Sequence, residues 1–355
     1  MKILNRSSLS PAVIAALSAA ILFGASTPIA KYFMGGNSPI LIAGLLYSGS
    51  GIGLMLIKII RDRGWKKPQL TKSEYGWLAG AIFFGGILAP VLLMYGLSQT
   101  SSASASLLLN LEAVLTSVIA WVVFRENADR RIVVGMILIV FGGLILSLPH
   151  GGTSKSDGVL GILAIVAACL CWAIDNNLTR KVSASDSFFI AGSKGLVAGV
   201  VNISLALWLC SSMPHTMMIA IILLCGFLGY GLSLLLFILA LRGLGTSRTG
   251  AYFSVAPFIG AAIAIVIFNE SVNLLFWLAL LFMAIGVWMH LTEIHEHEHT
   301  HDEEFHEHYH IHDEHHQHEH DFVLHNKSGH THPHQHDRMS HSHHHYPDVN
   351  HLHRH

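Results

Sequence analysis

"SSASASLLLNLEAVLTSVIAWVVFRE" runs from Ser101 to Glu126, and "GTSRTGAYFSVAPFIGAAIAIVIFNE" runs from Gly245 to Glu270. Each is an apolar run long enough to cross a bilayer as a helix, which takes about 20 residues. Both end in Phe-X-Glu, and an offset of 144 residues places Ala113 on Pro257. The match predicts that one unit of the chain occurs twice.

Other positions follow nearly the same offset. Gly85 falls on Gly229, and both halves contain a pair of glycines four residues apart, Gly49/Gly53 and Gly195/Gly199. Such small-residue pairs let membrane helices approach closely. A unit of five helices that is repeated once inserts in opposite senses, because five is an odd number. Inverted repeats are typical of secondary transporters, whose substrate site lies near the middle of the membrane.

The composition agrees with a membrane protein. The chain is 52% hydrophobic and 12% charged, compared with about 25% charged residues in soluble domains. Because lipid offers no partner for unpaired backbone groups, apolar runs of this length cross it as helices. We count ten such runs, at residues 11–33, 40–60, 76–98, 103–124, 131–148, 159–179, 188–210, 217–239, 250–268 and 272–291. The sequence therefore predicts an all-α integral membrane protein with ten transmembrane helices in two inverted five-helix repeats, followed by a disordered tail.

Basic residues predict the orientation, because cytoplasmic loops carry an excess of Lys and Arg. With the N-terminus in the cytoplasm, the inner segments hold fourteen Lys and Arg, and the outer segments hold two, Lys31 and Lys155. An even number of helices returns the chain to the same side. We therefore expect the N- and C-termini to be cytoplasmic.

Several stretches resemble the EamA type of the drug/metabolite transporter superfamily. The residues that carry the resemblance are "ILFGASTPIAKYF", "MYGLSQTSSASASLLLNLEAVLTSVIAWVVFRE", "GVLGILAIVAACLCWAIDNNLTRK" and "ALRGLGTSRTGAYFSVAPFIGAAIAIVIFNE". The resemblance implies a first EamA repeat at residues 8–149 (helices 1–5) and a second at residues 157–292 (helices 6–10). Residues 293–355 lie outside it and form the tail. Two positions depart from the family: Ala113 stands where proline is usual, and Tyr47 or Ser48 stands where a basic residue is frequent.

The resemblance also implies a function. It indicates gradient-coupled movement of a small metabolite, often export, by a multi-pass protein of the bacterial cytoplasmic (inner) membrane. The expected partners are the lipid bilayer and a small solute or metal ion, with a homodimer as a possible assembly and no nucleic acid. We do not expect an enzyme, because the chain has no HExxH, GxSxG or P-loop pattern.

Polar residues inside the predicted spans are candidate site residues, because each is costly to place in lipid. Glu112 lies midway along helix 4, where a carboxylate can alternately hold a proton and a cation, or simply bridge two helices. Asp175 and Lys194 can neutralise each other as a structural pair or take part in the site. The full set of substrate or coupling candidates is Glu112, Asn110, Asp175, Asn176, Asn177, Lys194, Ser26, Thr27 and Tyr47.

The tail has a different chemistry. Residues 291–355 contain 13 acidic residues, 3 basic residues and 24 of the 27 histidines. The tail has no apolar periodicity to bury, so it is predicted to be disordered. Neutral imidazole with carboxylate suits divalent Zn, Ni or Co, and the transporter itself requires no cofactor. The predicted metal ligands are His295, His297, His299, His301, His306, His308, His310, His312, His315, His316, His318 and His320. Their even spacing predicts several interchangeable sites.

Two classes of function remain open on these patterns. The first is secondary export of a small solute, with divalent metal export or metal-regulated export favoured by the tail. Within that class, the solute can instead be an amino acid or metabolite, with the tail as a metal sensor. The second class is a membrane-anchored metal buffer that does not transport.

Overall fold

The structure is a computed structural model. It describes residues 10–65, 70–124, 130–148, 159–182, 185–209, 211–291, 298–301, 304–310, 330–336 and 339–342. The chain divides into a unit that contains residues 1–293 and a unit that contains residues 294–346. The first unit is helical and the second contains short strands.

The described part of the first unit contains thirteen α-helices and two π-helical segments. The α-helices are α1 (Pro11–Phe33), α2 (Pro39–Asp62), α3 (Lys72–Ala81), α4 (Ala89–Gln99), α5 (Ser102–Leu108), α6 (Asn110–Phe124), α7 (Arg130–Leu146), α8 (Val159–Val182), α9 (Ser187–Trp208), α10 (Thr216–Gly226), α11 (Ser233–Phe253), α12 (Ala256–Val266) and α13 (Leu274–Leu291). The π-helical segments are π1 (Ile82–Leu88), between α3 and α4, and π2 (Phe227–Leu232), between α10 and α11.

Local sequence explains where several helices begin. Pro11 and Pro39 are the first residues of α1 and α2, where a missing N–H is not needed and the fixed φ suits the helix. The Glu74 carboxylate accepts the backbone N–H of Thr71 at 2.6 Å, which closes the first turn of α3. Asp186 caps α9 by accepting the Phe188 N–H at 2.9 Å.

Helices cover the apolar runs that the sequence predicts to cross the membrane. Among the residues that the structure describes, seven helical stretches are long and apolar enough to span a bilayer, and Ala256–Val266 and Leu274–Met289 are shorter apolar helices. The described residues of the first unit are therefore all-helical apart from their loops, and their helices suit a membrane. That the transmembrane helices number ten stays a prediction.

Two helix boundaries differ from the predicted runs. The predicted break between residues 239 and 250 is absent, because α11 continues from Ser233 to Phe253. This segment contains glycines but no proline, and a glycine in a helix costs only about 1 kcal/mol. Conversely, the predicted helix at residues 103–124 is interrupted at Leu109, between α5 and α6.

The π-helical segments occupy matching places in the two halves of the chain. They begin 145 residues apart, close to the offset of 144 that aligns Gly85 with Gly229. Each follows an α-helix and continues directly into another, so each adds a bulge to an otherwise regular membrane helix. Such bulges are frequent at functional sites.

Glycines bring α2 and α9 into backbone contact. A Cβ atom on Gly51 would meet the backbone of Gly195 and Leu196, and one on Gly199 would meet Ser48. Gly49 and Gly53 face elsewhere, toward Leu223 of α10 and the ring of Phe227 in π2. The predicted pair Gly195/Gly199 of α9 therefore packs against α2, whereas the pair Gly49/Gly53 of α2 packs against α10 and π2.

We expect Gly51→Ala to destabilise the helical unit. The added methyl group collides with backbone atoms of α9, which cannot move aside as a flexible side chain can, and overpacking costs about 1–3 kcal/mol or more. The measurement is thermal unfolding of the purified protein in detergent. Gly76→Ala is the matched control, since a Cβ there meets no atom within 4 Å. Equal unfolding temperatures for the two variants would contradict the close contact.

The described residues of the tail form four short strands. They are β1 (Glu298–His301), β2 (Glu304–His310), β3 (His330–His336) and β4 (Met339–Ser342). Strand β1 pairs antiparallel with β4, and β2 pairs antiparallel with β3. The predicted disorder therefore differs from the structure over these segments. The physical reason is that backbone pairing needs no apolar core, and side chains that alternate along a strand separate into two faces.

Candidate functional site

The helical unit contains a cavity at whose wall several charged and aromatic side chains meet. Its volume is about 70 Å³, against the roughly 10–15 Å³ that one water molecule needs. The lining residues are Phe23, Tyr47, Ser50, Glu112, Trp172, Asp175, Asn176, Ala191, Lys194, Gly195, Tyr230, Ser233, Leu234, Phe237 and Phe253. The cavity is therefore large enough for a few waters or a small organic group.

Aromatic rings form much of the wall. The Phe23 ring lies edge-on to Trp172 at a centroid separation of 5.9 Å and to Tyr230 at 5.8 Å. The Tyr47 and Tyr230 rings are 5.4 Å apart, and Phe253 lies 5.4 Å from Phe23. Rings from five different elements thus surround one space, and ring faces carry the negative part of the aromatic quadrupole.

Asp175 and Lys194 form a buried ion pair at this wall. Lys194 Nζ lies 2.6 Å and 2.7 Å from the two carboxylate oxygens of Asp175. The Thr179 hydroxyl donates to Asp175 Oδ1 at 2.8 Å. The exposed fractions of the Lys194 and Asp175 side chains are 3% and 7%. The two charges neutralise each other, as the sequence predicts for the structural alternative.

Glu112 is held differently. The side-chain amide of Asn176 donates to Glu112 Oε1 at 2.8 Å, which joins the first turn of α6 to α8. The same amide lies 3.4 Å from the Thr116 hydroxyl, one turn further along α6. Of the two carboxylates at the wall, Asp175 is therefore paired with a cation, and Glu112 is paired with a neutral amide that does not cancel its charge.

The carbonyl of Gly85 in π1 is turned toward side chains. In the π register, Ala89 N–H donates to Phe84 O, and the next residue, Pro90, has no N–H to give to Gly85 O. Two side-chain donors take its place: Tyr47 Oη at 2.9 Å and Trp172 Nε1 at 3.0 Å. Pro90 and the π bulge together therefore position two of the cavity rings.

Gly85 also explains why Asp175 fits. A Cβ atom on Gly85 would collide with the Asp175 carboxylate. The residue at this position therefore has to be glycine for the Asp175–Lys194 pair to reach the cavity wall. Gly85 supplies both a carbonyl for the rings and space for the ion pair.

The structure brings five of the nine predicted site residues to the cavity, namely Tyr47, Glu112, Asp175, Asn176 and Lys194. The other four, Asn110, Asn177, Ser26 and Thr27, are not among the residues that line the cavity. Asn110 donates to Leu107 O at 3.0 Å and faces Met283 of α13. Asn177 donates to Ala173 O at 2.9 Å, within its own helix. Ser26 donates to Phe23 O at 2.6 Å, and Thr27 is buried in α1 beside it.

No hydropathy pattern points to the phenylalanine rings of the wall, Phe23, Phe237 and Phe253. Phenylalanine is common in membrane helices and does not indicate which face of a helix it occupies. The offset between the two halves offers one partial indication, because Phe23 aligns with Trp172 at an offset of 149 residues. Ser50 and Ser233 of the wall were also missed, since small hydroxyl residues are inexpensive in membrane helices.

A second group of charges lies at the C-terminal end of α2. Lys58 is 2.5 Å from Asp62 and 3.4 Å from Asp186, and Arg61 Nη2 is 2.7 Å from Asp186. Burial opposes ionisation of Asp186, but hydrogen bonds from Arg61 and the Phe188 N–H outweigh it and hold the pKa of this carboxyl below its ordinary value. This cluster ties the end of α2 to the start of α9.

Glu270 forms a contact outside the cavity. Its carboxylate accepts the backbone N–H groups of Ser102 at 3.0 Å and Ala103 at 2.8 Å. These are unpaired donors at the start of α5, and a carboxylate at a helix N-terminus is stabilising. Glu270, at the end of the second repeated stretch, therefore stabilises the N-terminus of a helix in the first half of the chain.

Some of the predicted metal ligands belong to strands that the structure describes, and the others do not. His299, His301, His306, His308 and His310 lie on β1 and β2. His295, His297, His312, His315, His316, His318 and His320 lie outside the described residues. Among the side chains that the structure describes, no three of His, Cys, Asp and Glu lie close enough together to hold a metal ion.

Most of the chain is similar to one known protein family. The family described as "EamA-like transporter family" matches residues 10–148 and, a second time, residues 159–292. The chain belongs to the EamA-like transporter family. An EamA protein is a membrane transporter, so the cavity is the candidate solute site of a transporter, and the chain is not expected to be an enzyme.

Relatives of this EamA protein carry similar descriptions. An uncharacterized transporter of Methanothermobacter thermautotrophicus is 28% identical over 78% of this chain and 84% of its own length. The uncharacterized transporter YyaM of Bacillus subtilis is 28% identical over 68% of this chain and 81% of its own length. A probable 4-amino-4-deoxy-L-arabinose-phosphoundecaprenol flippase subunit, ArnE of Pseudomonas fluorescens, is 38% identical over 24% of this chain and 74% of its own length.

A solved protein structure shares the fold. It has a TM-score of 0.60 and 17% identity, and the likeness covers 79% of this chain and 96% of the other. At this level of identity the likeness concerns the fold alone.

Proposed function

We propose that this EamA protein is a secondary transporter that exports a small organic solute carrying one positive charge, with Glu112 as the group that binds the charge. The observation that carries the proposal is the Glu112 carboxylate, held by the neutral amide of Asn176 at the wall of a cavity lined by aromatic rings. Because Lys194 already neutralises Asp175, the net charge of the groups that line the cavity is negative and comes from Glu112.

The rings favour an organic cation. Six of the lining residues are aromatic, and an ammonium group over a ring face gains about 0.5–2 kcal/mol, most when it is desolvated. The apolar part of such a solute is also stabilised by contact with the rings. An anion would meet Glu112 and the negative faces of the rings, so the same wall disfavours it.

A divalent metal is the second candidate that the sequence raises. Metals of this class prefer several imidazole, thiolate or carboxylate ligands at short distance. At the cavity, one of the two carboxylates is already bound by Lys194. We therefore propose an organic solute as the cargo and assign the tail histidines a separate role.

Glu112 also supports a coupling mechanism. A carboxyl that binds either a proton or a cationic solute exchanges one for the other, and an inward proton gradient then drives solute outward. The predicted orientation supports export, since the lining residues Asn176, Ala191 and Phe237 belong to the helix halves nearest the predicted cytoplasmic side. A solute would therefore reach the cavity from the cytoplasm.

We propose that the scaffold consists of the two inverted repeats at residues 8–149 and 157–292, with ten transmembrane helices and cytoplasmic termini. The matching π-helical segments and the two EamA matches support this arrangement. The breaks before α6 and before α12 support it as well, since they follow Leu108 and Phe253 at a separation of 145 residues. The cavity then lies where the two repeats meet.

The test measures uptake of solute into everted membrane vesicles that contain the full-length protein. A proton gradient with an acidic vesicle interior drives the uptake. The panel comprises primary and quaternary ammonium compounds, amino acids, sugar phosphates, and Ni²⁺, Co²⁺ and Zn²⁺. We expect gradient-dependent accumulation of compounds with one positive charge. Accumulation of a metal ion or an anion, without any organic cation, would overturn the proposal.

We expect Trp172→Leu to weaken uptake of the organic cation about tenfold. The substitution removes one ring face, worth roughly 0.5–2 kcal/mol, and the donor that helps to fix the Gly85 carbonyl. The measurement is the concentration of solute that gives half-maximal flux. Trp121→Leu is the matched control, because Trp121 lies on the exposed outer surface of α6. If both variants shift this concentration equally, Trp172 does not bind the solute.

A further inference from the structure

Three helical segments pack together beyond the cavity, on its predicted outer side. They are the C-terminal part of α1, the short helix α5 and the short helix α12, and α12 packs against both of the others. Phe23, Glu112 and Phe253 line the cavity. The three segments follow or precede these residues in the chain and extend from them toward the predicted outer ends of the helices. They therefore lie between the cavity and the outer side.

The contact of α12 with α1 and α5 leaves no space for added side chains. A Cβ atom on Gly24 of α1 would collide with the backbone carbonyl of Ala256 in α12. One on Gly260 of α12 would lie 2.7 Å from Ser106 Oγ of α5 and 2.8 Å from Gly24 O. We call the contact formed by these four residues the outer layer. Packing this close excludes water and solute from the space between the three segments.

Two hydroxyl groups are buried at the outer layer without partners. Thr27 Oγ1 of α1 and Ser106 Oγ of α5 are fully buried and make no hydrogen bond to any residue that the structure describes. Thr27 lies three residues after Gly24, on the same side of α1. A buried hydroxyl without a partner destabilises the state that buries it, because it has lost its hydrogen bonds to water. A second state in which the outer layer is hydrated would restore those bonds.

Two charged side chains hold the outer end of this contact. Glu270, which follows α12, accepts the backbone N–H groups of Ser102 at 3.0 Å and Ala103 at 2.8 Å, at the start of α5. Lys31, near the end of α1, donates to the carbonyl of Thr100, in the turn between α4 and α5. Hydrogen bonds that involve a charged group are stronger than neutral ones. The turn is therefore bound from both sides, by α1 and by the segment after α12.

Breaks in the helices allow α5 and α12 to move without unwinding their neighbours. Helix α5 is separated from α6 at Leu109, and α12 is separated from α11 at Ser254 and Val255. Pro257, in the first turn of α12, has no N–H to donate to Phe253 O across the second break. Hinges of transporting and catalytic motions lie at such ends of secondary-structure elements.

We propose that the outer layer is the outer gate of this transporter, closed in this state and latched by Glu270 and Lys31. Opening separates α12 from α1 and α5, breaks the Glu270 contacts and hydrates Ser106 and Thr27, which then line the exit route. The buried hydroxyls favour opening, and the two charged contacts favour closure. Removal of the latch therefore shifts the population toward the open gate.

The first test measures how fast Ser106→Cys reacts with a membrane-impermeant thiol reagent added to intact cells. The full-length protein is used, with its four native cysteines replaced by alanine. With native Glu270, we expect the reaction to be at least tenfold slower than that of Gln99→Cys, which is exposed at the end of α4. We expect Glu270→Ala to accelerate the reaction of Ser106→Cys at least tenfold. Equal rates at the two cysteines with native Glu270, or no acceleration by Glu270→Ala, would overturn the gate.

Glu74→Ala is the matched control for the latch. The Glu74 carboxylate also accepts a backbone N–H, but within the first turn of its own helix α3, so its loss should change the rate less than twofold. Glu270→Gln keeps an acceptor oxygen without the charge and should accelerate the reaction less than Glu270→Ala does. Equal acceleration by Glu74→Ala and Glu270→Ala would show a general loosening of the helices and would overturn the latch.

The second test measures the gate as a distance in lipid nanodiscs. Spin labels at Gln99→Cys and Ile267→Cys, both exposed, report the separation between the ends of α4 and α12. With native Glu270 we expect mainly one short distance, and with Glu270→Ala a second, longer one. A mainly long distance with native Glu270, or the same distribution in both proteins, would overturn the proposal. Neither test uses a solute, so failure of the gate is distinguishable from failure of the organic-cation proposal.

Discussion

Glu112→Gln is expected to abolish gradient-driven accumulation of the organic solute. The substitution removes the negative charge but keeps an oxygen that can accept the Asn176 amide, so the contact between α6 and α8 survives. A hydrogen bond or ion pair to a charged group contributes about 1.5–3 kcal/mol, and the neutral side chain also has no proton to exchange. We expect on the order of 100-fold less accumulation, since 1.4 kcal/mol corresponds to a factor of 10.

The measurement is solute uptake in everted vesicles with and without the proton gradient. Any residual flux through Glu112→Gln should be insensitive to the gradient and to pH. Glu74→Gln is the matched control: Glu74 lies in the first turn of α3, where it accepts the Thr71 N–H, and glutamine also serves in that capping position. Normal accumulation by Glu112→Gln would show that the charge binds elsewhere.

Lys194→Met is expected to destabilise the protein strongly. Methionine fills similar space but leaves the Asp175 carboxylate buried without its counter-ion, and breaking one partner of a buried pair costs about 3–5 kcal/mol. The measurement is the unfolding temperature in detergent together with the yield of folded protein. The exposed residue Lys181 of α8 provides the control, Lys181→Met, whose effect should stay below about 1 kcal/mol because interactions of exposed charges contribute little.

A double variant separates stability from transport. Asp175→Asn/Lys194→Met removes both charges, so it should recover most of the stability that Lys194→Met loses. The Thr179 hydroxyl can still donate to the amide oxygen that replaces the carboxylate in this variant. If the double variant remains as unstable as the single one, the ion pair is not the cause of the loss. Transport by the recovered protein then reports whether the pair also contacts the solute.

Much of the helical scaffold follows from the sequence, because the bilayer restricts a long apolar run to one backbone conformation. The runs at residues 11–33 and 40–60 correspond closely to α1 and α2. The π-helical segments do not follow from such a rule. Hydropathy carries no information about the hydrogen-bond register within a helix, so it does not locate these two segments.

The candidate site also has a part that follows from the sequence and a part that does not. Glu112, Asp175 and Lys194 were predictable, because a charge inside a membrane helix needs a partner or a function. Asn110 does not line the cavity, because it lies two residues from Glu112, which is a rotation of about 200° on a helix. It therefore faces α13 rather than the cavity. Asn177 is displaced from Asn176 by about 100°, which is enough to direct it to Ala173 O.

The Gly85 carbonyl has a consequence for what the cavity rejects. Its two lone pairs accept the Tyr47 hydroxyl and the Trp172 indole N–H, the polar hydrogens that these rings would otherwise turn toward a guest. A guest at these two rings therefore meets their π faces rather than their polar hydrogens, and its acceptor oxygens gain no hydrogen bond from them. An acceptor that loses its hydration without a new donor costs a few kcal/mol. The Gly85 carbonyl therefore lowers the affinity of this part of the wall for solutes rich in acceptor oxygens.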